Sequence, residues 1–107
     1  MTYRIAICDD DPAQAEALRA AVAAWSKTAS CACTTDCYPS AEALWFACAD
    51  GAPYDIFLLD VEMKAMSGID FAKRLRRAGS RAELIFVTSH FEFIGEGYEV
   101  DALHYLV

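Results

Sequence analysis

Short apolar runs alternate along this chain with longer segments of helical character, and this alternation restricts its possible folds more than any other feature. The apolar runs cover residues 3–8, 31–38, 55–60, 84–88 and 102–107. One run begins roughly every 25 residues, a spacing that leaves room for a crossover helix after each strand. Strands joined by such crossovers lie parallel, with right-handed connections. The sequence therefore predicts an α/β domain of alternating strands and helices, with a parallel sheet in the order 2-1-3-4-5.

Capping residues indicate where the predicted helices begin. Asp11 suits the N-cap of a first helix that starts at Pro12 and runs to about residue 26. Ser40 is the predicted cap of a second helix, and Gly68 leads into a third. A short fourth helix is predicted over residues 91–100, where two glycines lower its stability. The apolar stripe of the first helix consists of Leu18, Val22 and Trp25.

Length and composition describe one globular domain. The chain has 107 residues, enough for a single domain over 1–107, and 56% of them are hydrophobic, which excludes a disordered chain. No apolar run approaches the roughly 18 residues of a membrane span, and the first residues lack the apolar stretch of a secretory signal. We therefore expect a cytoplasmic protein. The net charge of −7 argues against nucleic-acid binding by this domain.

Five cysteines, an odd number without a secretory signal, predict reduced thiols. Cys31, Cys33 and Cys37 have a spacing that a zinc site can use. Alternate residues of a strand share one face, so the same cysteines also suit a sheet surface as small apolar side chains. The histidines that zinc would need as further ligands, His90 and His104, lie far away in the sequence. The packing interpretation is therefore favoured over zinc binding.

Asp60 directly follows the apolar residues 56–59, so its carboxylate lies where a buried strand reaches the edge of the sheet. The carboxyl ends of parallel strands share one edge, and ligands bind in the crevice there. The same edge should hold Asp9 and Asp10, which follow the first strand, and Thr88, which ends the fourth. Grouped carboxylates repel each other unless a cation joins them, and oxygen ligands without a nearby His or Cys suit Mg²⁺.

These residue types favour phosphoryl chemistry at that edge. With Mg²⁺ held by Asp9, Asp10 and Asp60, the Asp60 carboxylate can attack a phosphoryl group as a nucleophile. Thr88 can donate its hydroxyl to a phosphoryl oxygen. The competing interpretation makes the acids helix caps and solubilising loop residues. It suits Asp11 better than Asp10 and Asp60, because the latter two follow apolar strands.

Several stretches of the chain resemble the receiver domain of bacterial two-component response regulators. They are ICDDDP (7–12), LLDVEM (58–63), MSGID (66–70), FVTS (86–89) and HYLV (104–107). The resemblance covers the whole chain in the family's order. It implies a flavodoxin-like (βα)5 three-layer sandwich, the fold of CheY-like proteins. Two of the stretches, at 61–63 and 104–107, look most similar to regulators that carry a LytTR-type DNA-binding domain.

The resemblance implies a role for each acid of the site. Asp60 would be the phospho-acceptor, which takes a phosphoryl group from a sensor histidine kinase. Asp9 and Asp10 would hold Mg²⁺ together with Asp60. The main-chain carbonyl of Glu62 would complete the metal site.

A switch pair and an output are implied in the same way. Thr88 and Tyr105 would be coupled, with the Tyr105 ring turning inward when Thr88 is drawn to the phosphoryl group. The switch would act on a downstream, DNA-binding output that regulates transcription. The domain would not be an enzyme beyond self-phosphorylation and self-dephosphorylation.

Two features depart from the family pattern. Lys64 stands after Met63, where the family usually has a proline. The family also places a lysine and then a fifth helix after the fifth strand, and this chain stops at Val107. We therefore expect a C-terminally truncated piece of a longer regulator, with the fifth helix absent. Apolar surface uncovered beside the first helix would favour self-association, for example as a homodimer.

Three other functions remain as alternatives. A non-phosphorylated interaction module of the same fold would use the uncovered surface. A flavodoxin-like redox module is less suited, because Asp9, Asp10 and Asp11 would repel a flavin phosphate. A phosphatase of the haloacid dehalogenase type expects a second Asp two residues after Asp60, where Glu62 stands.

Overall fold

Five parallel strands form one sheet in the order β2-β1-β3-β4-β5 in the computed structural model. The structure describes residues 2–49, 54–61, 63, 65–87 and, as backbone only, 104–106. The strands are β1 (Thr2–Cys8), β2 (Ala32–Tyr38), β3 (Ile56–Asp60), β4 (Glu83–Val87) and β5 (His104–Leu106). The helices in these ranges are α1 (Pro12–Ala29), α2 (Ala41–Ala49) and α3 (Gly68–Arg77). The predicted α/β class and strand order are both confirmed.

The first helix differs most from its predicted bounds. It continues to Ala29, past the predicted end near residue 26, because its alanine-rich sequence contains no helix breaker. The residue that caps this end of the helix is Ser30. It has a left-handed backbone with φ of 55° and donates its N–H to the carbonyl of Ser26. The predicted fourth helix over 91–100 and the ends of the predicted fifth strand lie outside the described residues. None of the helices in the described ranges is long and apolar enough to cross a membrane.

Side-chain caps fix the start of all three described helices near the carboxyl edge of the sheet. The carboxylate of Asp11 accepts a hydrogen bond from the N–H of the residue two positions later, at 3.0 Å. The hydroxyls of Ser40 and Ser67 each accept one from the N–H three positions later, at 3.1 Å. A cap of this kind contributes about 1 kcal/mol. The predicted caps Asp11 and Ser40 are confirmed, and Ser67 adds a third.

Alternate side chains of the strands enter two separate cores. Ile5 and Ile7 of β1 pack with Leu58 of β3 beneath α1. On the opposite face, Phe57 of β3 packs with Phe71 of α3 in a larger core beneath α2 and α3. Full burial of each such side chain contributes roughly 1.5–3 kcal/mol. Because successive side chains of a strand point to opposite faces of the sheet, the same strands contribute to both cores of the sandwich.

The α1 face is the more open of the two. Leu18 and Val22 pack against the sheet as predicted, whereas Trp25 stays 49% exposed. The described residues leave an apolar groove of about 360 Å³ between α1 and the sheet, lined by Trp25, Leu58 and Ile85 among others. Exposed apolar surface beside the first helix was expected. Self-association through it stays a prediction.

The five cysteines are all free thiols. Cys33 packs toward the α1 core, in line with the packing interpretation. Cys37 is exposed, so that interpretation does not extend to it. Over the ranges that the structure describes, the cysteines do not take part in a group of three potential metal ligands.

Candidate metal and phosphoryl site

The register of the sheet brings the acids that follow β1 and β3 to the same level. Cys8, the last residue of β1, pairs with Leu59 of β3. The next residues, Asp9 and Asp60, therefore lie side by side at the carboxyl edge. Carboxylate oxygens of Asp9, Asp10 and Asp60 all lie within 4.8 Å of one another. The structure thus brings together the three acids whose clustering the sequence predicted.

The three carboxylates differ in their exposure to solvent. Asp9 is buried, with only 4% of its surface exposed. Asp60 is partly buried and Asp10 is exposed. A ligand that enters from solvent would meet Asp10 first, and Asp9 forms the inner wall of the site.

Hydrogen bonds and charge both act on the buried Asp9. Its N–H donates to the carbonyl of Tyr38 at 3.1 Å, and its Oδ1 accepts from the N–H of Asp11 at 2.9 Å. Burial raises the pKa of Asp9 above its ordinary range, and the charges of Asp10 and Asp11 raise it further. Hydrogen bonds from the Asp11 backbone and the Asp60 side chain oppose this rise. Two carboxyl groups in hydrogen-bond contact need a shared proton, and a cation can replace that proton.

Gly68 fixes the position of Asp60 from the other side. A Cβ atom at residue 68 would lie 2.2 Å from the main-chain oxygen of Asp60, closer than any real contact. The N–H of Gly68 donates to the carbonyl of Val61 at 3.0 Å. The first turn of α3 is therefore pressed against the end of β3, and only glycine permits this approach.

Two further contacts hold the loop between Asp60 and α3. The carboxylate of Glu42 in α2 accepts a hydrogen bond from the N–H of Met66 at 3.2 Å. The Sδ of Met63 lies 3.5 Å from the Sγ of Cys8. Between these contacts Ala65 has φ of 62°, a left-handed conformation that is uncommon outside glycine. The loop is therefore irregular but anchored at two points.

Cys8 lies next to the acids and responds to their charge. Burial is the main cause that raises the pKa of its thiol to about 12, and the nearby carboxylates of Asp9, Asp60, Glu42 and Asp10 add to the rise. The thiol is therefore neutral at neutral pH and supplies neither a thiolate ligand nor a nucleophile. The chemistry of the site falls to the carboxylates.

The donor set fits Mg²⁺. This ion binds hard oxygen ligands in an octahedron, with one or two carboxylates and additional waters or phosphate oxygens. At Mg–O distances of about 2.05 Å, the ligand oxygens are about 2.9 or 4.1 Å apart. The carboxylate oxygens of the cluster, at 4.8 Å or less from one another, need only small movements to reach such positions.

Part of the predicted site falls outside the described residues. This applies to Glu62, Lys64 and Thr88. Tyr105 lies in β5, where its backbone is paired with Phe86 of β4, and its side chain is not described. The metal-binding carbonyl of Glu62 and the switch pair of Thr88 and Tyr105 therefore stay predictions.

Sequence reasoning missed two residues that hold the loop between Asp60 and α3. It identified Gly68 only as the start of a helix, although a glycine directly after a capping serine was a usable signal of close approach. It did not identify Glu42. No local pattern indicates the contact of Glu42, because Met66 is 24 residues away.

The family is shown by a match along nearly the whole chain. The family model described as the response regulator receiver domain matches residues 5–107. The chain therefore belongs to the response regulator receiver domain family, as its motifs predicted.

Its curated relatives include regulators of the LytR/LytT type. The sensory transduction protein LytT of Bacillus subtilis is 36% identical over 52 residues, which are 49% of this chain and 22% of the relative. The positive alginate biosynthesis regulatory protein of Pseudomonas aeruginosa is 40% identical over 58 residues, 54% of this chain and 23% of the relative. The match thus spans less than a quarter of the length of either relative.

Solved structures of receiver domains share the fold of this chain over most of their length. The response regulator TrrA from Thermotoga maritima, in complex with Mg²⁺-BeF, has a TM-score of 0.82 and 24% identity and covers 98% of this chain and 85% of its own. A CheY-like receiver domain from Methylobacillus flagellatus also has a TM-score of 0.82, with 20% identity over 99% of this chain and 86% of its own. At these identities the likeness confirms the CheY-like, flavodoxin-like fold.

Proposed function

We propose that this chain is a phospho-accepting signalling domain in which Asp60 receives a phosphoryl group from a sensor histidine kinase. The observation that carries the proposal is the convergence of Asp9, Asp10 and Asp60 within 4.8 Å at the carboxyl edge of the sheet. Membership of the receiver family supports it. The complex of the Thermotoga maritima regulator with Mg²⁺-BeF supports a magnesium-dependent site.

In the proposed reaction, a carboxylate oxygen of Asp60 attacks the phosphorus atom of a phosphohistidine. The new P–O bond forms as the P–N bond breaks, and the leaving imidazole takes up a proton from solvent. Mg²⁺, when bound, neutralises charge on the phosphoryl oxygens. Asp9, Asp10 and Asp60, with the carbonyl of Glu62, would hold that cation. Gly68 keeps Asp60 at the edge of the sheet.

The phosphorylated state is read by a downstream output. Thr88 contacts the phosphoryl group, and Tyr105 turns inward in response. The output regulates transcription, which the names of the curated relatives support: they are sensory transduction proteins and a positive regulator of alginate biosynthesis. The domain itself carries out no chemistry beyond its own phosphorylation and dephosphorylation.

Incubation with acetyl phosphate and Mg²⁺, followed by Phos-tag electrophoresis, tests the acceptor. We expect a shifted band for the wild type and none for Asp60→Asn or after addition of EDTA. Asp70→Asn is the matched control, because it makes the same chemical change at an exposed acid of α3. It should shift like the wild type.

An unshifted wild-type band would overturn the proposal. A shift that persists in Asp60→Asn would assign the acceptor to another residue.

A second candidate function is a protein-interaction module that is not phosphorylated. The observation that favours it is the apolar groove of about 360 Å³ beside α1. Light scattering over a concentration series tests self-association through this groove. A dimer that Trp25→Ser disrupts would support the module, and a monomer at every concentration would count against it.

A further inference from the structure

Basic residues are concentrated in one segment of an otherwise acidic chain. Five of its nine Lys and Arg residues lie between positions 73 and 81, although the net charge is −7. One of them, Arg76, turns toward the end of the helix, where its Nη1 donates to the carbonyls of Ser80 (3.1 Å) and Ala82 (2.7 Å).

Lys73, Arg74 and Arg77 line an open cleft of about 600 Å³ between α2 and α3. Lys73 and Arg77 are four residues apart and Arg74 and Arg77 are three apart, so both pairs are neighbours on the helix surface. Glu42 and Met66 line the same cleft. We call this surface the α2–α3 cleft.

The position of Arg74 is fixed by the core beneath it. Its guanidinium lies over the ring of Trp45 in α2, 5.9 Å from the ring centre. That ring packs edge-on against Phe71, with ring centres 6.0 Å apart. Phe71 is fully buried. A cation supported in this way loses little freedom when it binds an anion, so the cleft is preorganised.

An exposed aromatic side chain accompanies the basic residues. Phe46 of α2 has 72% of its surface exposed. It lies four residues after Glu42, so both belong to the same side of the helix. The cleft therefore offers one fixed cation at Arg74, two further basic residues and, one helical turn from Glu42, a large apolar contact.

We propose that the α2–α3 cleft binds an acidic segment of a partner protein. Carboxylates of that segment pair with Lys73, Arg74 and Arg77, and an apolar side chain covers Phe46. A nucleic-acid backbone fits less well, because a continuous row of phosphates would lie against a chain of net charge −7, whereas a short acidic segment can place its carboxylates at the three cations alone. The inference goes beyond the proposed function, since it does not require phosphorylation of Asp60.

Fluorescence anisotropy with labelled synthetic 12-residue peptides tests the proposal. The first peptide combines Asp and Glu with Leu and Phe, the second replaces every acid by Lys, and the third replaces every apolar residue by Ser. A single-stranded 12-nucleotide DNA is the fourth probe. We expect the first peptide to bind most tightly and its affinity to fall as salt is raised.

Charge reversal locates the binding surface. Lys73→Glu with Arg77→Glu should weaken the first peptide about ten-fold or more, and Phe46→Ser should weaken it by a smaller factor. The matched control is Lys27→Glu with Arg81→Glu, which changes the net charge equally on α1 and beyond the end of α3. It should leave the affinity unchanged. Circular dichroism confirms that each variant is folded.

Several results would overturn the inference. One is the absence of binding by the first peptide at millimolar protein. Another is equal binding by the cleft variant and its control, which would place the peptide elsewhere. Tighter binding of the DNA, lost in the same cleft variant, would assign the surface to nucleic acid instead. None of these results depends on whether Asp60 accepts a phosphoryl group.

Discussion

Acidic side chains gather at two places in this protein, and their surroundings differ. Around Arg4, each acidic side chain has a hydrogen-bond donor or a positive charge as its partner. Asp55 accepts a hydrogen bond from the N–H of Arg4 at 2.8 Å. Asp36 accepts one from the hydroxyl of Tyr54 at 2.7 Å and lies 3.9 Å from the Arg4 guanidinium. The Arg4 guanidinium also lies over the Tyr54 ring.

At the carboxyl edge, Asp9, Asp10 and Asp60 instead lie against one another. Their mutual repulsion, together with the burial of Asp9, works against the metal-free fold. The acids around Arg4 support the structure, whereas the grouped acids suit the metal site proposed above. Substitutions in the two regions should therefore change stability in opposite directions.

The largest effect is expected for Gly68→Ala, which disturbs the grouped acids through the backbone. The added Cβ would meet the Asp60 carbonyl at 2.2 Å, so strand and helix must separate. We expect the free energy of unfolding to fall by about 3 kcal/mol. Phosphorylation of Asp60 should be lost with it. Urea denaturation followed by circular dichroism measures the first effect and Phos-tag electrophoresis the second.

Gly79→Ala is the matched control for that substitution. Gly79 has φ of 91°, but a Cβ atom added there would meet no atom within 4 Å, so only the backbone conformation resists alanine. The variant should lose about 1 kcal/mol and keep phosphorylation intact. Equal losses in the two variants would contradict the close approach at Gly68.

The second prediction is that replacing an acid by its amide changes stability in opposite directions in the two regions. In Mg²⁺-free buffer at neutral pH, Asp9→Asn should stabilise the protein by about 1 kcal/mol, because it removes a charge from the cluster and keeps the oxygen that accepts from Asp11. Asp36→Asn should destabilise it by about 0.5 kcal/mol, because its attraction to Arg4 is lost. Urea denaturation of both variants provides the test.

Mg²⁺ should reverse the effect of Asp9→Asn on stability, because the substitution weakens binding of the ion. Calorimetric titration should show that Asp9→Asn binds Mg²⁺ at least about ten-fold more weakly than the wild type, whereas Asp36→Asn binds it normally. If Asp9→Asn proved less stable than the wild type without Mg²⁺, the grouped acids would not be in conflict and the comparison would fail.

A smaller effect is expected in the pH dependence of stability. The pKa of Asp9 is raised above its ordinary value of 3.8 in the folded protein, so the folded state keeps this proton at a pH where the unfolded chain has lost it. Stability from this group is complete below 3.8 and is lost as the pH rises through the raised pKa. The Mg²⁺-free wild type should therefore lose stability relative to Asp9→Asn over that window. With saturating Mg²⁺, which binds the ionised carboxylate, the trend should reverse.

Local sequence signals were sufficient for the sheet and for the acid cluster. The alternation of strands and helices predicted a parallel sheet, and the flavodoxin-like strand order placed Asp9 beside Asp60. The contacts that position the loop were not predictable in this way. The approach of Gly68 to the Asp60 carbonyl depends on how closely α3 packs, and the bond from Glu42 to Met66 joins separate elements.

The periodicity of apolar residues predicts which face of a helix turns toward the sheet, but it does not predict how deeply each side chain is buried. The apolar stripe of α1 correctly predicted that Leu18 and Val22 face the sheet. Trp25 lies on the same stripe but remains 49% exposed at the side of the open groove between α1 and the sheet. Its exposure depends on how completely that groove is filled, which the helix sequence does not contain.

The smallest effect is expected for Glu16→Gln, which removes an ion pair from the surface of α1. Glu16 accepts two hydrogen bonds from Arg19, one of them at 2.8 Å, and these bonds lower the pKa of Glu16. A lowered pKa contributes stability above the ordinary value of 4.5 that is lost as the pH falls. Both side chains are exposed, so solvent and salt screen this contribution. Urea denaturation at neutral pH should show no measurable change, at low salt or high. A clear loss would mean that an ion pair exposed on both sides stabilises the fold even without the additional contact that Asp36 makes with the buried Tyr54.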